Sequence, residues 1–185
     1  MIDDTLRDAE HRMQSAVAAL DRDLDAVRTG RARPALVETL KVEYYGTPTP
    51  LNQMAAVHAP DPRLITIQPW DKTQLGTIEK AIQKSDLGLN PTNDGNMIKL
   101  VIPPLTEDRR KELVKVVHKK VEDGRVSVRN VRRDCLDELR KLQHDKQISD
   151  DDERRAQERL QKLTDRYIAE IDRHGQTKVQ ELLEV

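Results

Sequence analysis

The chain has 185 residues, 35% of them charged and 36% hydrophobic, with one Trp, three Tyr, no Phe and a net charge of −1. This composition excludes a broad aromatic core and favours narrow helical seams of Leu, Val, Ile and Ala. The single cysteine, Cys135, excludes an intrachain disulfide, which fits a reducing compartment. No run approaches the ~18 apolar residues of a membrane span. Met1-Ile2-Asp3-Asp4 lacks the basic start and apolar core of a secretory signal. The expectation is a soluble, cytoplasmic protein.

The near-neutral total hides an uneven distribution. Residues 105–147 hold 13 basic and 9 acidic side chains, residues 31–104 are net +1, and residues 1–30 and 148–185 are each net −3. One segment therefore carries the basic excess, and that regional asymmetry says more about partners than the total does.

In chain order, residues 3–29 predict a helix, because Leu6, Ala9, Met13, Ala16, Leu20, Leu24 and Val27 step by three or four. Gly30 supplies a stop and Pro34 opposes continuation. Residues 31–104 hold all nine prolines. Leu40–Tyr44, Leu64–Gln68 and Met97–Ile102 alternate like strands, Met54–Ala59 is a further candidate, and Asn93-Asp94-Gly95-Asn96 is a turn signal. Thr73–Lys84 reads as a short helix with Leu75, Ile78 and Ile82 on one face. Trp70 reads as the core plug of this small α+β segment, and Asp71 as the cap of its helix. Tyr44 and Tyr45, if both lie in a strand, point to opposite faces.

Residues 107–147 predict one long helix, seamed by Val114, Val117, Val121, Val128, Val131, Cys135, Leu139 and Leu142 and capped by Thr106. Gly124 is an interior defect of about 1 kcal/mol against Ala and a candidate bend. Ser149 with Asp152 resembles a capping box that opens a third helix over 150–183. The short connection makes helices two and three antiparallel neighbours. The fold class is α+β and mainly helical: an elongated antiparallel three-helix bundle (1–30 and 105–185) with an inserted small β/α/β domain (31–104). Two tethers, Gly30-Arg31-Ala32-Arg33 and Pro103-Pro104-Leu105, suit a hinge of limited range.

Within the long helix, Arg125, Arg129, Arg132 and Arg133 recur at helical spacing beside the apolar seam. Guanidiniums clustered on a rigid rod suit bidentate contacts to phosphate, which favours a ribonucleoprotein partner over a small-molecule substrate. The plainer reading is a solvated face with local ion pairs to Glu122, Asp123, Asp134 and Asp137. Arg28 and Arg31 flank the helix stop, where a cation near the helix C-terminus has a purely structural use. The five histidines have no ligand-spaced partners, and no nucleophile elbow, phosphate-binding glycine loop or paired catalytic group is present. No metal or cofactor is expected and no enzymatic activity. Two rivals remain: a helical adaptor for a protein partner, and an enzyme using Asp71, His58 or Asp94.

Several strings carry a resemblance. They are Arg28-Thr29-Gly30-Arg31-Ala32, Val42-Glu43-Tyr44-Tyr45-Gly46-Thr47-Pro48-Thr49-Pro50-Leu51, Pro69-Trp70-Asp71-Lys72, Ile78-Glu79-Lys80-Ala81-Ile82, Ser85-Asp86-Leu87-Gly88-Leu89-Asn90-Pro91, Pro103-Pro104-Leu105-Thr106-Glu107 and Val128-Arg129-Asn130-Val131-Arg132-Arg133-Asp134. In this order, over nearly the whole chain, they resemble the ribosome recycling factor family. The resemblance implies an L-shaped, monomeric, non-hydrolysing factor. With elongation factor G and GTP it would split post-termination ribosomes and help release messenger and deacylated transfer RNA. It further implies that the bundle binds large-subunit ribosomal RNA at the subunit interface. Arg132 and Arg129 would be the leading contacts, joined by Arg125, Arg133, Arg28 and Arg31, with Arg133 alternatively paired to Asp137. It also implies a hinge at Gly30, Arg31, Ala32, Pro103, Pro104 and Leu105. Arg33 is a departure, since many members of the family carry a small residue such as Ser there.

Overall fold

The computed structural model describes residues 1–27 and 29–184, which cluster into two compact units. The first unit joins helix α1 (Ile2–Asp25) to α4 (Glu107–His144) and α5 (Asp150–Leu183). The second spans Thr29–Leu105. Among the described residues no helix is long and apolar enough to cross a membrane.

In the helical unit, α4 runs opposite to both neighbours. Thr5 and Arg12 of α1 meet Glu138 and Asp134 of α4, at 3.3 and 2.8 Å. Arg125 and Arg132 of α4 meet Asp172 and Gln161 of α5. Consequently α1 and α5 run the same way: Arg159 donates to Asp3 at 3.0 Å and Tyr167 to Glu10 at 2.9 Å. The three apolar stripes converge on a core that includes Met13, Leu20, Val117, Val128, Leu139, Leu160, Ile171 and Leu182, each nearly inaccessible. Each such side chain contributes about 1.5–3 kcal/mol on burial.

The helix boundaries follow local chemistry. Helix α1 ends at Asp25 rather than at residue 29, because Asp23 and Asp25 oppose the macrodipole and only Arg22 supports it in the last turn. The Thr106 side chain accepts from the Arg109 N–H and opens α4. Lys146, at φ 57°, turns the chain out of α4 three residues earlier than expected. Ser149 and Asp152 form the full reciprocal capping box of α5. Gly124 marks no bend: α4 is continuous through it, and a Cβ there would stand 3.4 Å from Ile171 and 3.6 Å from Leu20. Its missing side chain lets three helices approach. Gly175 does the same more severely, since a Cβ would stand 2.4 Å from Cγ2 of Val121.

The second unit contains α2 (Ala35–Glu38), β1 (Lys41–Tyr44), β2 (Thr47–Pro50), β3 (Ala55–Asp61), β4 (Leu64–Pro69), α3 (Leu75–Lys84), β5 (Pro91–Asn93) and β6 (Ile98–Val101). Strands β1 and β2 form a hairpin, and the other four an antiparallel sheet in the order β3-β4-β6-β5. The expected β/α/β segment is therefore richer in strands than the sequence suggested. Strands β2 and β5 are short and carry Pro48, Pro50 and Pro91, which edge positions tolerate. Ile65, Ile67, Ile78, Ile82, Ile98, Leu100, Val42 and Leu51 form the core.

Two aromatic expectations are corrected here. Trp70 is not a core plug but 69% exposed. Period-two alternation turns Ile65, Ile67 and Pro69 inward, so the next residue faces out. Tyr45 is not in a strand. With Gly46 it forms the two-residue hairpin loop, at φ 49° and 81°, and it is 76% exposed. Asp71 does cap: its carboxylate accepts from the Thr73 N–H at 3.0 Å and from its hydroxyl at 2.6 Å. The Thr73 hydroxyl, followed by that N–H, holds the Asp71 carboxyl below the usual range.

Candidate nucleic-acid interface

The arginine flank of α4 is built by helical periodicity. Val121, Val128, Val131 and Cys135 are buried, and that fixes the azimuth of Arg125, Arg129, Arg132 and Arg133 beside the seam. The structure then separates these four by their partners. Arg125 is half-buried and held between two carboxylates, Asp172 at 2.6 Å and Glu122 at 2.9 Å. These hydrogen bonds, Glu122 first, raise its pKa further. Arg129 reaches Glu122 at 3.3 Å. The Arg125 hydrogen bond, more than the charge of Arg129, lowers the Glu122 pKa.

Arg132 and Arg133 meet neutral amides instead. Nη1 of Arg132 donates to Oε1 of Gln161 at 2.9 Å, and Nη2 of Arg133 donates to Oδ1 of Asn130 at 2.9 Å. The expected Arg133–Asp137 pair does not form; the shorter reach to Asn130, one turn back on α4, wins. Among the described residues neither arginine has an acidic partner within 4.0 Å. Their charge is therefore oriented without being neutralised. In Arg132 the Nε is buried without an acceptor, so the stem is committed to α5 while the fork end carries the accessible charge.

The remaining site residues fall elsewhere. Arg28 lies outside the described residues. Arg31 is exposed and belongs to the second unit. Of the predicted hinge residues, Gly30 and Leu105 are brought together. Gly30 has φ +75°, and a Cβ there would stand 2.9 Å from Cγ of Leu105. The adjoining chain is pinned by Ala32 N–H to Pro62 O at 2.6 Å and Ile102 N–H to Arg63 O at 2.8 Å. Pro103 and Pro104 are exposed between Ile102 and Leu105.

Of the residues put forward for enzyme chemistry, His58 is exposed on β3, and the two aspartates have structural tasks. Asp71 caps, and Asp94 accepts from the Met97 and Asn96 N–H groups at 2.9 Å each, with its pKa lowered by those bonds. Among the described residues no group of three or more His, Cys, Asp or Glu could hold a metal ion. Cys135 is buried, and burial followed by the charges of Glu138 and Asp8 pushes its pKa up to about 11. Sequence reasoning missed Gln161 and Asn130, whose amides aim the two uncompensated arginines. The i,i+3 spacing of Asn130 and Arg133 was the available signal for one; for Gln161 there was none, because it lies on another helix.

The fold and this flank define a class of proteins: a capped three-helix bundle that presents oriented arginines and carries an inserted α+β unit. The ribosome recycling factor family pattern matches residues 20–183. The chain is 52% identical over 185 residues to the ribosome-recycling factor of Thermomicrobium roseum, covering 100% of both. It is 55% identical over 180 residues to that of Nitratidesulfovibrio vulgaris, covering 97% of both. A solution structure of a ribosome recycling factor superimposes with TM-score 0.76 at 44% identity, covering 100% of this chain and 98% of the other. A second match, TM-score 0.65 at 48% identity and full coverage of both, is the T. thermophilus factor described with E. coli elongation factor G bound to the E. coli post-termination complex. The chain belongs to the ribosome recycling factor family.

Proposed function

We propose that this protein recycles ribosomes after termination. With elongation factor G and GTP it splits the post-termination ribosome and helps release messenger and deacylated transfer RNA. It acts without hydrolysing anything itself, as a cytoplasmic monomer, the GTPase supplying the free energy. The bundle docks on large-subunit ribosomal RNA at the subunit interface through the α4 flank. Arg132 leads, with Arg133, Arg129 and Arg125 beside it and Arg28 and Arg31 as further contacts. Gly30, Arg31, Ala32, Pro103, Pro104 and Leu105 serve as the hinge of the small unit. The T. thermophilus relative described with elongation factor G on a post-termination complex supports the choice of partners.

One observation carries the RNA reading: Arg132 and Arg133 are oriented by amides and left uncompensated in charge. A fork held at fixed azimuth by a neutral acceptor can still give its remaining N–H groups to a phosphate at little further entropic cost. Arg125 and Arg129, already bound to carboxylates, would give up an ion pair first. The test is polysome breakdown with purified ribosomes, elongation factor G and GTP, with and without the protein. Accelerated conversion of polysomes supports the proposal, and no effect of the protein overturns it.

A further inference from the structure

The second unit carries a basic groove of its own. One wall is the polar stripe of α3 and the residues just before it: Thr73, Gly76, Thr77, Lys80 and Lys84, spaced by three or four and so aligned on one face. The other wall is strand β1, whose Lys41 and Glu43 point outward while Val42 enters the core. Between them lies an open groove of about 690 Å³.

Three lysines and one glutamate give its lining a net positive charge. Among the described residues, Lys41, Lys80 and Lys84 have no acidic partner within 4.0 Å. The acidic residue of α3, Glu79, is turned away to Asn93 of β5. The groove between α1 and α5 differs: there Arg159 is held by Asp3 at 3.0 Å and Arg166 by Glu10 at 3.7 Å. The floor also allows close approach, since nothing lies within 4 Å of where a Cβ of Gly76 would stand. Lys80 and Lys84 are one helical turn apart, about 6 Å along the axis. That interval is comparable to the separation of consecutive phosphates in a nucleic-acid strand. Lysine is a point charge for phosphate, and neighbouring hydroxyls supply hydrogen bonds without demanding a base.

We infer that this groove is a second nucleic-acid site, which holds the sugar–phosphate backbone of single-stranded RNA without reading its sequence. Lys80 and Lys84 take successive phosphates, Lys41 closes the opposite wall, and Thr77 donates from the α3 side. The inference stands apart from ribosome docking by α4, because its readout lies wholly within the second unit.

The test is a titration of the full-length, isotope-labelled protein with a short oligouridylate, followed by amide chemical shifts. The expected result is saturable shifts at Lys41, Thr73, Gly76, Thr77, Lys80 and Lys84. Binding there should weaken about 20-fold between roughly 50 and 200 mM salt, as three displaced counterions on a single strand require. The exposed triple variant K41Q/K80Q/K84Q, folded by the criterion of its unaltered remaining amide spectrum, should lose those shifts. G76L, which keeps every charge but fills the floor, should weaken them at least tenfold. Absence of shifts at the groove in the wild-type protein overturns the inference, as does their persistence in the triple variant. A matched oligoglutamate that binds the same amides as tightly as the RNA would also overturn it, making the occupant an acidic polypeptide.

Discussion

Nη1 of Arg132 donates to the side-chain carbonyl of Gln161 at 2.9 Å, so a residue of α5 sets the direction of a cation on α4. The acceptor is neutral and the guanidinium keeps its full charge. Arg132→Ala should therefore weaken ribosome binding at least tenfold, in line with the roughly 1.5–3 kcal/mol of a hydrogen bond to a charged group. Arg132→Lys should recover only part of that loss, because an ammonium restores charge without the fork. Ribosome co-sedimentation alongside thermal unfolding checks both. Wild-type affinity in an Arg132→Ala protein of wild-type stability would remove Arg132 from the interface.

Gly175 meets Val121 more closely than Gly124 meets its neighbours, with 2.4 Å between an added Cβ and Cγ2 of Val121. Gly175→Ala should cost about 1–3 kcal/mol by overpacking, and Val121→Ala on the same chain should recover part of it. Gly124→Ala meets its neighbours only at 3.4 Å, and the gain in helix propensity of about 1 kcal/mol opposes the crowding. It should be close to neutral. Urea unfolding of the three variants decides whether the glycines are packing devices.

Gly30 combines a left-handed backbone with contact against Leu105. Gly30→Ala should destabilise by about 1–3 kcal/mol through both effects. Adding Leu105→Ala relieves the steric part alone, leaving the φ penalty in place. Thermal unfolding of the single and double variants separates the two contributions, and equal loss in both would show that the Leu105 contact is unimportant.

Cys135 contributes a pH dependence with a definite sign. Its folded pKa is raised from 9.0 to about 11, so the folded state keeps the proton longer than the unfolded chain. The contribution is complete below about pH 9 and is lost as pH rises towards 11. Its size is on the order of 3 kcal/mol. Alanine at this position shifts stability by an amount independent of pH, so the difference between wild type and Cys135→Ala should narrow over that window. A constant difference across it would contradict a buried, neutral thiol.

Trp70, 69% exposed at the end of β4, should fluoresce as a solvated indole and be readily quenched by iodide. Trp70→Ala should change stability by less than about 1 kcal/mol, as for a surface side chain. A protected, blue-shifted indole would return Trp70 to the core.

Long periodic segments were readable because one variable, the 3.6-residue repeat, specifies them. The stripes from Leu6 to Leu24, from Val117 to Leu139 and from Ala156 to Leu182 each became a buried face. Ser149 with Asp152 and Thr106 with Arg109 were legible for a similar reason, since a cap is satisfied within four residues. The short proline-bearing strands β2 and β5 escaped notice because their pairing is non-local and their propensity is poor. Trp70 is exposed because strand alternation, with Pro69 turned inward, overrides the burial tendency of its residue type.

Local order along the chain thus settled the helices, their caps, the strand-bearing insertion and the clustering of four arginines, all properties of residues within one or two turns of each other. Packing between distant segments settled the rest. It tied Arg125 to Asp172 across 47 positions and gave Arg132 the neutral amide of Gln161. It also required glycine where α4 and α5 touch. Those outcomes depend on which faces meet in space. A sequence specifies them only through the sum of many small burial terms, so the meeting of Arg125 with a carboxylate and of Arg132 with a neutral amide on α5 became visible only once α5 was laid against α4.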